Sequence, residues 1–199
     1  SPSHLFKFHM SEGGLRVPLI ISGPGIKKGK NHNFAFVTDI AATLSDIVFD
    51  EVDERIIGKS LQNSLAGSNE KNYLDTDSVG LEVTGNSALF KGDFKIVRNR
   101  PPNGSNQWEL FNLFEDPGET INLATSMPNK LQELIEDYEA YAEKNGVIEL
   151  PLDYEWAAEM TINTFKRNYL PLIWKTAFFI ILVISFVIVL IRRWRKVKK

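Results

Sequence analysis

The sequence has 199 residues, 43% of them hydrophobic and 24% charged, enough to bury a core in one or two domains. It contains no cysteine, which excludes disulfides and thiolate-bound metals and leaves the redox compartment open. The formal net charge of −2 conceals an asymmetry: residues 192–199 carry six Lys/Arg and no acid, while the other 191 residues hold 17 basic and 25 acidic side chains, net −8. That balance excludes nucleic acid as a partner and makes the basic cluster a local tail. The chain opens on Ser1-Pro2-Ser3 without an initiating Met, which reads as the C-terminal fragment of a longer protein.

In chain order, Lys7 to Gly25 comes first: a polar loop, the double glycine Gly13-Gly14, an apolar run Val17 to Ile21, and Gly23-Pro24-Gly25. The run lacks alternation, as expected of a strand covered on both faces of a parallel sheet. Gly13-Gly14 permits positive φ and close backbone approach, so the preceding loop can fold tightly. Lys7 reads either as a solvated surface charge or as a lysine held at the strand's end, facing the cleft where open α/β sheets bind ligands. Ile26 to His32 is a basic loop, with His32 on the surface, and Phe34 to Val37 is expected to extend a strand. Thr38-Asp39 then offers an N-cap to a helix with the apolar face Ile40, Leu44, Ile47 and Val48. Residues 67–79 are polar and irregular, and a second, smaller unit begins there.

That unit reads as antiparallel strands plus one helix. Leu81 to Phe90, interrupted by Gly85-Asn86, suggests a bulge or bend. Gly92-Asp93 turns into the strand Phe94 to Val97. Arg100 to Gln107 is a loop, and Trp108 to Leu113 a further strand with Trp108, Leu110 and Asn112 on one face and Glu109, Phe111 and Leu113 on the other. Asp116-Pro117-Gly118-Glu119 has the signature of a type II turn. From Pro128 to Lys144 the period is helical: Leu131, Leu134, Ile135, Tyr138, Tyr141 and Ala142 form one apolar stripe for packing on the sheet. Ser126 is its candidate N-cap, and Asn145-Gly146 its stop. Repeats and low-complexity segments are absent from the sequence.

Residues 149–169 form a connector, expected to be partly helical around Trp156, Met160 and Phe165. Leu170 to Ile191 is a run of 22 residues with only Lys175 charged. As a helix it reaches about 33 Å, enough for a hydrocarbon core of about 30 Å. Trp174 and Trp194 suit an aromatic belt at each interface, and Lys175 can snorkel outward. A core helix is the competing reading, and the basic end Arg192-Arg193-Trp194-Arg195-Lys196 argues against it and against a lipid-anchor signal. The positive charges place the C-terminus in the cytoplasm and the residues before 170 in the periplasm or cell exterior.

Two stretches carry a family resemblance. Lys7, then Glu12-Gly13-Gly14-Leu15-Arg16-Val17-Pro18, an apolar run and Gly23-Pro24-Gly25, resemble the sulfate-gripping lysine loop of the arylsulfatases, type I sulfatases of the alkaline phosphatase superfamily. Asp39 to Leu44, Gly58-Lys59-Ser60-Leu61 and Leu65-Ala66-Gly67 resemble that family's following helix and connection. Gly92 to Ile96, Trp108 to Leu113, Asp116 to Glu119, Asn122-Leu123-Ala124 and the helix ending in Asn145-Gly146-Val147 resemble, in order, the C-terminal subdomain of bacterial arylsulfatases.

The resemblance implies the C-terminal portion of the sulfatase or alkaline-phosphatase-like α/β sandwich (1–66), a small antiparallel sheet with one packed helix (67–148), the connector (149–169), one transmembrane helix (170–191) and a basic tail (192–199). It implies a sulfuric ester hydrolase acting on sulfate monoesters outside the cytoplasm, anchored in a lipid bilayer, the fragment by itself inactive. Lys7 is the catalytic residue it carries over, a compact cation that stabilises charge developing on the sulfuryl oxygens. His4 and His9 are candidates to line the substrate mouth. Glu12, Gly13, Gly14 and Arg16 position the loop, and Asp116, Glu119 and Trp108 are scaffold. The family's formylglycine nucleophile and Ca²⁺ are implied too, both placed upstream of this chain, with no metal ligand within it. The alternatives are a phosphonate or phosphate monoester hydrolase of the same superfamily, and a non-catalytic, membrane-tethered binding domain.

Overall fold

The structure is a computed structural model that describes residues 4–151 and 153–197, with side chains in the last helix as far as Trp194. Ser1-Pro2-Ser3 and the end of the basic tail, Lys198-Lys199, lie outside the described residues. The chain divides into two units, residues 1–149 and 150–199.

The core of the first unit is a four-stranded antiparallel meander in the order β1 (Ser78–Val83), β2 (Asn86–Lys91), β3 (Phe94–Arg98), β4 (Glu109–Asn112). Leu81 to Phe90 is a hairpin rather than one bulged strand. Val83 pairs with Asn86, and the two residues between them, Thr84 and Gly85, have φ of 52° and 78°. Two consecutive positive φ values are the two-residue turn whose twist matches that of antiparallel strands.

Register then decides which side chains share a face. Leu89, Ile96 and Leu110 lie directly opposite one another across β2, β3 and β4. Against them packs α4 (Pro128–Asn145), which contributes Leu134 and Tyr138, with Leu131, Ile135, Tyr141 and Ala142 around them. This is the stripe that the sequence period predicts. Burying side chains of this kind contributes about 1.5–3 kcal/mol each. Trp108 joins this face, its ring 4.9 Å from that of Tyr138. Gly146 (φ 65°) ends α4, where the N–H of Val147 donates to Ala142 O and that of Gly146 to Glu143 O. Ser126 does not cap α4: the N-cap is Met127, and the Ser126 hydroxyl donates to Leu123 O.

The other face carries Ala88, Val97 and Phe111, and Met10 covers them. A segment far upstream of β2 in sequence therefore closes the sheet's second side. It includes the short α1 (Glu12–Leu15).

Residues 16–77 form helices α2 (Thr38–Phe49) and α3 (Gln62–Leu65) within irregular backbone. Val17 to Ile21 is not a strand here, nor is Phe34 to Val37. Among the described residues the meander is the one sheet, and neither segment pairs with it; Val17 and Ile20 are 78% and 90% exposed. The apolar face of α2 (Ile40, Leu44, Ile47, Val48) is likewise exposed, and Ala42 and Thr43 are the buried side. Asp39 does not cap α2 from its first turn. Its buried carboxylate accepts the N–H groups of Phe36 and Lys59 and the Tyr73 hydroxyl, which ties three segments together. Burial, then that hydrogen bond, pushes the Tyr73 phenol far up.

In the second unit, α5 (Trp156–Asn168) and α6 (Leu170–Val197) are separated by Tyr169. Pro171 accounts for the interruption, because it lacks an N–H to donate back to Arg167 O and its ring crowds that carbonyl. Among the described residues one helical run, Trp156–Trp194, is long and apolar enough to cross a membrane by length and composition, and its apolar stretch is unburied.

Candidate functional site

The residues around Lys7 form a tight knot laid on the loop face of the meander. Within the knot, Gly13 N–H donates to His4 O (3.0 Å) and His9 N–H to Phe6 O (3.1 Å). Leu5 and Phe8, on either side of Lys7, hold φ of 60° and 77°. Such backbone costs about 1–3 kcal/mol per non-glycine residue and persists only where the surroundings over-determine it. The glycines supply room rather than unusual dihedrals: Gly13 and Gly14 lie inside α1, and neither has positive φ. A Cβ on Gly13 would collide with the carbonyl oxygens of His4 and Leu5, and one on Gly14 with those of His9 and Phe6.

Three kinds of contact fasten the knot to the sheet. Met10 supplies the apolar one. Two asparagines at strand ends supply amide bridges: Asn99 Oδ1 accepts Met10 N–H (2.8 Å) while its Nδ2 donates to Ser11 Oγ (3.0 Å). Asn86 Nδ2 donates to Phe8 O (2.6 Å) while its Oδ1 accepts Arg100 N–H (2.7 Å). The third is ionic. Lys95, in the middle of β3, has no exposed surface, and its Nζ lies 2.9 Å from Glu12 Oε1 and 2.8 Å from Glu119 Oε1. The second oxygen of Glu119 accepts the N–H of Glu12 (2.7 Å). The Phe90 ring sits beneath the ammonium, 4.8 Å from centroid to Nζ.

Glu119 is aimed by its turn. The N–H of Glu119 donates to Asp116 O (3.2 Å), but the left-handed residue is Glu119 itself (φ 57°), not Gly118. The turn is therefore not type II, which needs positive φ at its third residue. The Asp116 carboxylate accepts the N–H groups of Ile121 and Thr120 and the Thr120 hydroxyl, which fixes the chain just after Glu119. Those bonds, Ile121's first, hold the Asp116 carboxyl below its ordinary range.

The residues expected to form the site fall into two groups. Glu12, expected to position the loop, hydrogen-bonds through its carboxylate to Lys95 and through its N–H to Glu119. Arg16 is mostly exposed, and its guanidinium is 3.9 Å from Glu12, a contact that solvent screens. His9 is buried: Nδ1 donates to Phe6 O (3.1 Å), and Nε2 accepts from Asn103 Nδ2 (3.1 Å). His4 is exposed. It lies close enough to Glu109 to counter the upward push that burial gives that carboxyl. Lys7 is exposed, its Nζ 5.3 Å from the centre of the Phe8 ring. The knot thus presents the Lys7 cation outward on a strained turn.

Lys95, Glu119, Asn86 and Asn99 are the residues sequence reasoning missed. A signal for Lys95 existed: Val97 shares its strand face and Phe111 lies across from it, so a lone cation on an apolar face calls for buried acids.

No family model matches the chain. Among solved structures, a Bacteroides thetaiotaomicron protein described in connection with the metabolism of multiple glycosaminoglycans superposes with a TM-score of 0.60. It is 21% identical, and the match covers 70% of this chain and 32% of that one, a likeness of fold. In sequence, an uncharacterized sulfatase of Schizosaccharomyces pombe is 31% identical over 175 residues, covering 77% of this chain and 30% of the relative. Arylsulfatase K of Xenopus laevis is 27% identical over 140 residues, covering 65% of this chain and 26% of its own length. The fold is that of a sulfatase C-terminal portion. The chain belongs to the sulfatase family, and it spans under a third of the length of these curated relatives.

Proposed function

We propose that the complete protein is a sulfuric ester hydrolase that cleaves sulfate monoesters outside the cytoplasm, with Lys7 as one of its charge-stabilising residues. The observation that carries this reading is the knot itself. An exposed ammonium on a strained turn, the backbone of which is tied to a buried ion cluster, is a positive charge of the kind a sulfuryl-transfer transition state requires. As sulfate ester bonds break, negative charge grows on the departing oxygen, and a cation already in place lowers that barrier without reorganising. In this reading the exposed His4 meets substrate, whereas the buried His9 holds the turn.

Calcium and formylglycine belong in this reading to sequence upstream of Ser1. Among the described residues no group of three or more His, Asp or Glu could hold a metal ion, and the sequence contains no Cys/Ser-x-Pro-x-Arg motif of the kind in which formylglycine is made. The residues of this chain do not fit either group. Residues 1–66 are in this reading the end of a larger α/β domain, whose remaining strands would give Val17 to Ile21 its neighbours and cover α2. Leu170 to Ile191 is the membrane anchor, with the basic end in the cytoplasm. Anchoring outside the cell suits charged esters, which do not cross membranes unaided.

The test is Lys7→Ala in the complete protein, assayed on a chromogenic aryl sulfate. Turnover should fall roughly 10²–10³-fold, the usual consequence of losing one charge-stabilising donor. Undiminished turnover contradicts the role of Lys7.

A further inference from the structure

The proposed chemistry makes no use of the buried ion cluster. Lys95, Glu12 and Glu119 have side-chain exposures of 0%, 7% and 2%. Buried charges hold a fold no better than apolar side chains of equal volume, so stability by itself does not explain three of them. What they add is direction. Lys95 draws one oxygen from each carboxylate, and the other oxygen of Glu119 takes the N–H of Glu12. Both the side chain and the backbone of Glu12 are thereby fixed relative to β3. Gly13 N–H passes that constraint to His4 O, and Asn86 holds Phe8 O, so the strained segment around Lys7 is gripped at both ends.

We propose that Lys95 and Glu119 are positioning residues for Lys7, acting through Glu12. The small sheet sets where the loop's ammonium lies. This rests on the role given to Lys7 above, and the two ideas fail differently. In the complete protein, Lys95→Met should lower kcat by roughly 10²-fold, the scale on which a misplacement of about 1 Å is felt. In a Lys7→Ala background the same change should have little further effect, because the group being positioned is gone. Full, additive losses overturn the proposal while leaving Lys7 catalytic, and a Lys7→Ala protein with native turnover overturns both.

A second readout does not depend on turnover. Lys7 and Arg16 are exposed, and tryptic cleavage after them should accelerate by about tenfold or more in Lys95→Met as the loop lifts away. An unchanged cleavage rate refutes the anchorage. Should Lys95→Met fail to fold, the triple variant Glu12→Gln, Lys95→Met, Glu119→Gln removes every charge at similar volume. It should fold yet remain slow; native turnover in that variant overturns the proposal.

Discussion

The two faces of the meander are built on different physics. The α4 face is built on apolar packing, with Leu89, Ile96 and Leu110 meeting Leu134 and Tyr138; its polar links are the Tyr138 hydroxyl to Ser87 Oγ (2.8 Å) and, toward the edge, Lys91 to Glu133 (2.9 Å) and Asp137 (2.7 Å) of the helix. The loop face mixes Met10, Val97 and Phe111 with one lysine, two glutamates and two asparagines. Apolar packing is non-directional and tolerates small shifts. Ion pairs and amide bridges fix angles, and they penalise the loss of any one member. The helix face therefore supplies stability, and the loop face supplies placement.

That contrast can be broken first at Lys95. Lys95→Met leaves two buried carboxylates facing each other, and removing one partner of a buried pair costs about 3–5 kcal/mol. Equilibrium denaturation should show this loss, and neutralising Glu12 and Glu119 as well should recover most of it. Leu134→Ala on the opposite face should cost about 2–5 kcal/mol through the cavity it leaves, with no coupling to the acids. Tyr138→Phe should cost about 1 kcal/mol, since it deletes one hydrogen bond and leaves the Ser87 hydroxyl without it.

The smallest effect concerns pH. Asp116 is held below its ordinary value of 3.8 in the folded chain, chiefly by the Ile121 N–H. Its contribution is complete above that value and is lost as pH falls through the lower folded one. A stability profile measured from neutral pH downward should fall in that window, and Asp116→Asn should flatten it.

The helix face was legible because one residue type repeats at one period. Leu131, Leu134, Ile135, Tyr138, Tyr141 and Ala142 announce both the element and its buried side, and Leu110 and Phe111 were correctly placed on opposite faces of β4. The loop face was not legible, because its partners are far apart in sequence. Lys95 shares a strand face with apolar Val97, which hints at buried acids, but the two that meet it lie 83 and 24 residues away. Glu119 looked like a turn residue, and only the fold brings it to α1. Thr84-Gly85 hid a hairpin because threonine is an uncommon choice at positive φ. Val17 to Ile21 and the α2 face kept the patterns of buried elements while lying exposed, since periodicity states what a segment can pack against and not whether it does so. Lys7 was singled out by family resemblance, and nothing in its immediate composition marks it.

The central claim is that charges on the small sheet hold the lysine loop still. Amide hydrogen exchange in the complete protein tests it most directly, comparing native and Lys95→Met chains at Met10, Glu12 and Gly13 with Leu134 and Tyr138 of α4 as internal references. The account predicts that the three loop amides exchange far faster in the variant than the general loss of stability at α4 explains. Loop and helix amides accelerating by the same factor would contradict it.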